Sequence, residues 1–339
     1  MARSRGLLAG LLTVLAVAAA VSGGFPPAQA SPAAQVMPAL VDIDTALSYQ
    51  SATGAGTGIL LTSGGEVLTN NHVIEGATSI TATNIGNGRT YPVDVIGYDR
   101  NHDIALLQLR GATNLATAPL GDSSVVAVGD SIVGVGNAGG GGGTPSSAPG
   151  TVIGLNQTVT ASDDASGSTR QLTGLIQVAA DIRPGDSGGA LVNSAGQVIG
   201  IDTAATPGYK MGSRGGQGFA IPIGQALPIA DQIRAGSGSV HIGGTAFLGV
   251  GVSDGRSREP SSVPGAFVQR LLAGGPADQL GLADGDLIVS VDSNPVDSAT
   301  SLTDVFDQHH PGDNVVLGWL DGSGRQHTQT VTLVAGPVG

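Results

Sequence analysis

The chain contains no cysteine. That excludes disulfides, zinc–thiolate sites, iron–sulfur clusters and thiol catalysis, and leaves packing alone to stabilise an exported form. Aromatic residues make up 3% of the 339 positions and charged residues 12%, with 14 Lys and Arg against 26 Asp and Glu. A formal net charge of −12 offers no basic stripe for a phosphate backbone, so no nucleic-acid partner is expected. There is no Walker A lysine motif, no H-E-x-x-H and no EF-hand loop, so neither a metal nor a cofactor is expected. Gly134, Gly136 and Gly139 match the spacing of a dinucleotide fingerprint, but the Gly, Pro and Ser that follow forbid the helix that fingerprint needs.

Long apolar runs are also missing, except at the start. Arg3 and Arg5 precede an apolar stretch over residues 7–21, then a Gly/Pro break, then Ala28-Gln29-Ala30. About fifteen apolar residues are short for a hydrocarbon core of about 30 Å. The pattern is that of a cleaved signal segment over residues 1–30, with Ser31 as the new N-terminus. A secreted or cell-envelope protein is expected, with no stable membrane span after cleavage. The alternative is a retained anchor.

What the sequence has in abundance is glycine, 56 residues without a collagen period. That points to tight turns between short strands. Strand-like segments occur at 58–61, 67–69, 79–83, 91–96 and 104–109, and a second set at 131–135, 150–155, 174–178, 190–192 and 198–202. Such spacing predicts a barrel or sandwich. Residues 33–49 read as a short strand or helix leading in, and 139–143 as a flexible surface loop between strands. Ile223, Leu227, Ile229, Ala230 and Ile233 form a one-sided stripe, predicting a helix over 222–233. Residues 235–239 read as a linker. The pattern then restarts with strands at 246–252, 265–271, 286–291, 314–320 and 328–334 and helices at 276–280 and 298–310, an α+β module. Domains are expected at 31–236 and 240–336.

One string carries chemistry. In Pro184-Gly185-Asp186-Ser187-Gly188-Gly189, a serine sits between glycines ahead of an apolar strand. Amide hydrolysis needs a nucleophile exposed on a tight turn, with backbone N–H groups aimed at the developing oxyanion. Gly185 and Ser187 are the candidate oxyanion donors; the plainer reading is a glycine-rich hairpin. A serine needs a base, and His72 follows the apolar run Val67-Leu68 on a rigid platform. His102, His241, His309, His310 and His327 lie among polar or turn residues and are expected on the surface. Asp103, just before Ile104-Ala105-Leu106-Leu107, is the favoured partner for His72, with Asp99 as its competitor.

These motifs, together with Thr69-Asn70-Asn71-His72-Val73-Ile74 and Gly216-Gln217-Gly218-Phe219-Ala220-Ile221-Pro222, resemble the trypsin-like superfamily. The HtrA/Deg group is the nearer likeness, in particular mycobacterial and actinobacterial secreted serine proteases with one PDZ domain. The resemblance implies a mainly β fold, a chymotrypsin-like double six-stranded β-barrel followed by an α+β PDZ domain. It implies His72 as base, Asp103 as its orienter and Ser187 as nucleophile. It further implies that the strand through Asp202, Thr203 and Ala204 pairs with the substrate backbone. Asp181 stands where an acid in trypsin selects Arg or Lys; HtrA relatives usually carry a small apolar residue there and prefer small aliphatic side chains, so the alternative is a solvated loop charge. Asp186 departs from the usual Asn of the group, and no zymogen activation site accompanies it. Phe247-Leu248-Gly249-Val250 resembles the PDZ carboxylate-binding loop, implying a C-terminal peptide ligand. The implied activity is a serine endopeptidase acting on unfolded or exported proteins. The competing reading is a PDZ chaperone or scaffold with a latent protease domain; an esterase would require the G-x-S-x-G of α/β-hydrolases.

Overall fold

The computed structural model describes residues 30–163, 169–203, 209–211, 217–237, 240–254 and 263–338. The expected signal segment, nearly all of it, and Ala204 fall outside the described residues. Among the described residues no helix is long and apolar enough to cross a membrane.

A short helix α1 (Pro32–Val36), capped by the Ser31 hydroxyl, leads into the first barrel. Its strands are β1 (Leu40–Leu47), β2 (Ala52–Leu60), β3 (Glu66–Thr69), β4 (Ser79–Asn84), β5 (Thr90–Asp99) and β6 (Ile104–Leu109). They pair antiparallel in the order β5-β4-β1-β2-β3-β6, and a further β5–β6 pairing closes the ring. Helix α2 (Asn71–Ile74) interrupts the chain after β3.

The second barrel repeats the plan with β7 (Ser131–Gly136), β8 (Ser146–Asp163), β9 (Thr169–Ala179), β10 (Ala190–Asn193), β11 (Val198–Thr203), β12 (Tyr209–Met211) and β13 (Gly218–Pro222). The order is β8-β7-β10-β11-β13-β9, closed by β8–β9, with β12 added at the edge of β8. The fold is therefore mainly β, with two closed six-stranded barrels. Closure leaves few free edges, which suits a chain without disulfides.

The predicted helix is α3 (Ile223–Ala235). It leaves the second barrel yet packs on the first. Ile223, Ala226, Ile229, Ala230 and Ile233 join the core built by Leu40, Ile43, Ile59, Leu68 and Leu106. This explains why β6 is buried on both faces, from Ile104 through Leu107 and again at Leu109. Each large aliphatic side chain sealed there contributes roughly 1.5–3 kcal/mol.

The C-terminal module follows β14 (His241–Ile242), which pairs with β5 of the first barrel. The module comprises β15 (Ala246–Phe247), β16 (Val250–Asp254), β17 (Ala266–Leu271), α4 (Pro276–Leu280), β18 (Leu287–Val291), β19 (Asn294–Pro295), α5 (Ala299–Phe306), β20 (Asn314–Leu320), β21 (Gln326–Thr332) and β22 (Val334–Ala335). Its core is Leu248, Val268, Ile288, Val291, Leu302, Leu317 and Trp319. The single strand expected over 246–252 is broken in two at Gly249, whose φ of +82° no strand accommodates. Helix α5 stops at Phe306, four residues before the predicted end, because Asp307 and the turn after it face the protease barrel instead.

That contact corrects one expectation. His241 is buried rather than solvated, 3% exposed. Its ring stacks on Tyr98 at 4.9 Å and on His310 at 5.2 Å. Its Nδ1 lies 2.8 Å from the Asp307 carbonyl oxygen and its Nε2 3.1 Å from that of Gly244. Beside it, the Arg100 guanidinium donates to Asp307 at 2.8 Å and to Glu75 at 3.3 Å. Further along, Val338 returns to the first barrel. Its N–H donates to Ala77 O at 2.9 Å, and its carbonyl accepts from Gly76 N–H at 2.5 Å.

Candidate active site

The loop from β5 to β6 is held in shape by Asp99, which accepts from His102 N–H at 3.1 Å and faces the His102 ring at 2.7 Å. Asp99 is thereby spent locally. Asp103, with φ +57°, points the other way. Both of its carboxylate oxygens face His72 Nδ1, at 2.8 and 3.0 Å, and Oδ1 also accepts the His72 backbone N–H at 2.9 Å. Asn70 closes the loop by donating to the Asp103 carbonyl at 3.0 Å. Helix α2 thus presents its histidine to a carboxylate that the β6 start holds rigid. Both side chains are nearly sealed from water, at 1% and 3% exposure. A two-oxygen contact on Nδ1 fixes the ring and leaves Nε2 as the working nitrogen.

Ser187 reaches the same place through backbone contacts. Its carbonyl accepts the Thr57 N–H of β2 at 2.8 Å. A Cβ on the neighbouring Gly56 would fall 3.2 Å from that carbonyl and 2.6 Å from Val73, the residue after His72. On the other side, Gly188 N–H donates to Asp202 O at 2.8 Å and Asp202 N–H to Gly189 O at 2.8 Å. The next residue on β11, Thr203, sends its hydroxyl to Asp103 Oδ2 at 3.3 Å. Strands of both barrels therefore converge on one cleft.

The turn before Ser187 has a defined orientation. Pro184 O accepts the Gly139 N–H at 2.7 Å. In a trans peptide the following N–H points opposite to the carbonyl, so the Gly185 N–H faces away from Gly139. Gly185 has φ +97°, and a Cβ there would lie 2.1 Å from Asn137 O. Only glycine fits. Thr57 ties the arrangement together. Its hydroxyl donates to Gly185 O at 2.8 Å and accepts the Asn137 N–H at 2.9 Å. Asp186 stays local: Oδ1 accepts from the Ser146 hydroxyl at 2.6 Å and Oδ2 from Arg183 N–H at 2.9 Å. Burial raises its carboxyl above the ordinary range, against the pull of those two donors.

Comparison with known proteins agrees with this geometry. Residues 56–201 match the trypsin-like peptidase domain and residues 246–331 the PDZ domain. The chain is 35% identical to serine protease PepD of Mycobacterium tuberculosis, over 94% of this chain and 69% of PepD. The chain belongs to the HtrA-type serine proteases. It is also 35% identical to the periplasmic pH-dependent serine endoprotease DegQ of Escherichia coli, over 84% of this chain and 60% of DegQ. Among solved structures, the HtrA-type protease AlgW with tripeptide superposes at a TM-score of 0.51 and 27% identity, covering 90% of this chain and 96% of that one.

Not every residue singled out in this HtrA-type sequence gathers at the cleft. Asp181 is exposed, and its carboxylate is held by Arg183, two residues on. That ion pair holds the carboxyl below its usual range. In the PDZ module, Leu248 is buried and its carbonyl accepts the Ala277 N–H at 3.0 Å, while Gly249 O accepts Leu272 N–H at 2.9 Å. Phe247 stacks on Tyr49 of the protease barrel at 5.5 Å, and Val250 opens β16. The residues 139–143 do join two strands, β7 and β8, but Gly139 also braces the turn before Ser187 through Pro184 O.

Several supports escaped the sequence reading. Thr57, Asn137, Ser146 and Gly139 come from segments 41 to 130 positions from Ser187 and carry no motif of their own. The hydroxyl of Thr203 was within reach of inference, since a strand beside the nucleophile was already placed there.

Proposed function

We propose that the protein is a secreted serine endopeptidase that hydrolyses exported or unfolded polypeptides through an acyl-enzyme, with domains at 31–236 and 240–336. Ser187 Oγ attacks the scissile carbonyl. His72 Nε2 takes its proton and passes it to the leaving amine, and Asp103 holds the ring and balances the imidazolium. The Gly185 and Ser187 N–H groups receive the oxyanion. In the second half-reaction His72 draws a proton from water, which releases the acyl group. Thr203 and its neighbours on β11 pair with the substrate backbone. The PDZ module, through the loop Phe247-Leu248-Gly249-Val250, binds a C-terminal peptide.

The observation that carries this reading is the pairing of His72 Nδ1 with both Asp103 oxygens, beside a Pro184 carbonyl that accepts the Gly139 N–H. The test is casein digestion together with labelling by a fluorophosphonate. The chain should digest casein and take the label, and Ser187→Ala should do neither. Labelling without digestion of any protein would overturn the peptidase reading in favour of the latent scaffold.

A further inference from the structure

Among the described residues, Asp202 is the one fully buried acid for which the triad has no use. It is 0% exposed, and neither carboxyl oxygen is within ordinary hydrogen-bond geometry of a partner; the Val135 amide is its nearest donor. Burying such a group without a donor is unfavourable, most of all in its charged form. Burial, and then repulsion from Asp186, drives its proton affinity well up, with only the Val135 amide acting the other way.

Its place in the fold suggests what it waits for. Thr203 turns toward Asp103, so by strand alternation Asp202 faces the interior of the second barrel. Its own peptide pairs with Gly188 and Gly189, so the acid starts one strand spacing behind the nucleophile's turn. Above it lies Ile182, half-buried, five residues before Ser187. Ile182 is wedged between two glycines. A Cβ on Gly134 would meet Ile182 Cδ1 at 2.3 Å and Asp202 Oδ2 at 3.0 Å, and a Cβ on Gly218 would meet Ile182 Cγ1 at 2.4 Å. The residue opposite Asp202 on β13 is the small Ala220. If Ile182 rotates outward, a slot opens beside Ser187 with glycine and alanine walls and a carboxyl at its floor.

We propose that Asp202 is the specificity-determining acid of this protease, receiving the guanidinium or ammonium of an Arg or Lys that precedes the scissile bond. The inference rests on the peptidase reading and names its substrate class. Ile182 acts as the plug that a basic side chain displaces. The cation supplies the donors the carboxyl lacks and lets it ionise. Asp181 has no part in this, since Arg183 already occupies it at the surface.

Two measurements on the full chain test it. The first is the affinity for benzamidine, a small amidinium that needs no catalysis. It should bind the wild type and Ser187→Ala alike, at least ten-fold more weakly to Asp202→Asn, and more tightly to Ile182→Ala. The second is kcat/KM for matched peptides with Arg, Lys, Ala or Val before the scissile bond. Arg and Lys should lead by about ten-fold or more. The lead should disappear in Asp202→Asn and survive in Asp181→Asn. Benzamidine affinity indifferent to Asp202→Asn, or wild-type preference for Val or Ala, would overturn the assignment of Asp202. The peptidase reading would still stand if casein is digested, and it would fall separately if it is not.

Discussion

Asp42 on β1 should make the stability of this protein fall with rising pH in a defined window. Its Oδ2 accepts the Gly143 N–H at 3.1 Å, on the same loop whose Gly139 braces the turn before Ser187. Burial outweighs that bond, and Asp44 adds repulsion, so the carboxyl is pushed up to about 6 from 3.8. Between those values the folded chain binds more protons than the unfolded one. The stabilisation by the proton is full below pH 4 and is lost as pH rises through 6. At about 1.4 kcal/mol for each unit, the penalty above pH 6 is about 3 kcal/mol at most. Asp42→Asn keeps an acceptor for Gly143 without the charge. In a Ser187→Ala background, which prevents self-digestion, thermal and guanidinium melts should show the variant about 1–3 kcal/mol more stable at pH 7.5. In the protease transition that amounts to roughly 2–10 °C. At pH 4 the two proteins should melt together. A difference that stays constant from pH 4 to 7.5, or a variant less stable at 7.5, would refute the account.

Other perturbations have equally definite outcomes. Asp103→Asn should lower kcat by about 10³–10⁴ with little change in KM, because the amide cannot hold the required tautomer of His72; a loss under ten-fold would contradict its role. Gly185→Ala places a methyl 2.1 Å from Asn137 O and should cost at least about 10² in kcat as the oxyanion turn reorients, while Ser187→Ala controls for folding. Asp307→Ala leaves the buried Arg100 with only Glu75 and should destabilise the chain by about 2–4 kcal/mol. Pairing it with Arg100→Met should restore much of that loss; a double variant worse than Asp307→Ala alone would show that the ion pair is not the source.

Much of the site could be read from residues alone because the chemistry is local. Asp186-Ser187-Gly188-Gly189 reads as a tight turn ahead of an apolar strand, and Asp103 abuts the apolar run Ile104-Ala105-Leu106-Leu107. The barrels were legible for a similar reason: short strands separated by glycine turns have few ways to close. What stayed hidden depends on contacts far apart in the chain. Nothing around Thr57 announces that its hydroxyl joins Gly185 to Asn137 across two barrels. Residues 139–143 look featureless because glycines serve there through their backbone N–H groups, which composition does not show. His241 sits in polar sequence and is still buried, since its cover comes from Tyr98 and from the turn after α5. The break at Gly249 is visible only once the flanking residues are seen to join different partners.

The PDZ module is held to the first barrel through β14 on β5, the Arg100–Asp307 pair, Phe247 on Tyr49, and Val338 on Gly76 and Ala77. A body clasped at several points cannot swing like a flag on one pole; it can only shift as a whole or let go of a clasp. The last clasp fastens two residues beyond the end of α2, the helix that carries His72. Any force that pulls the module away is therefore delivered, within one helical turn, to the base of the imidazole.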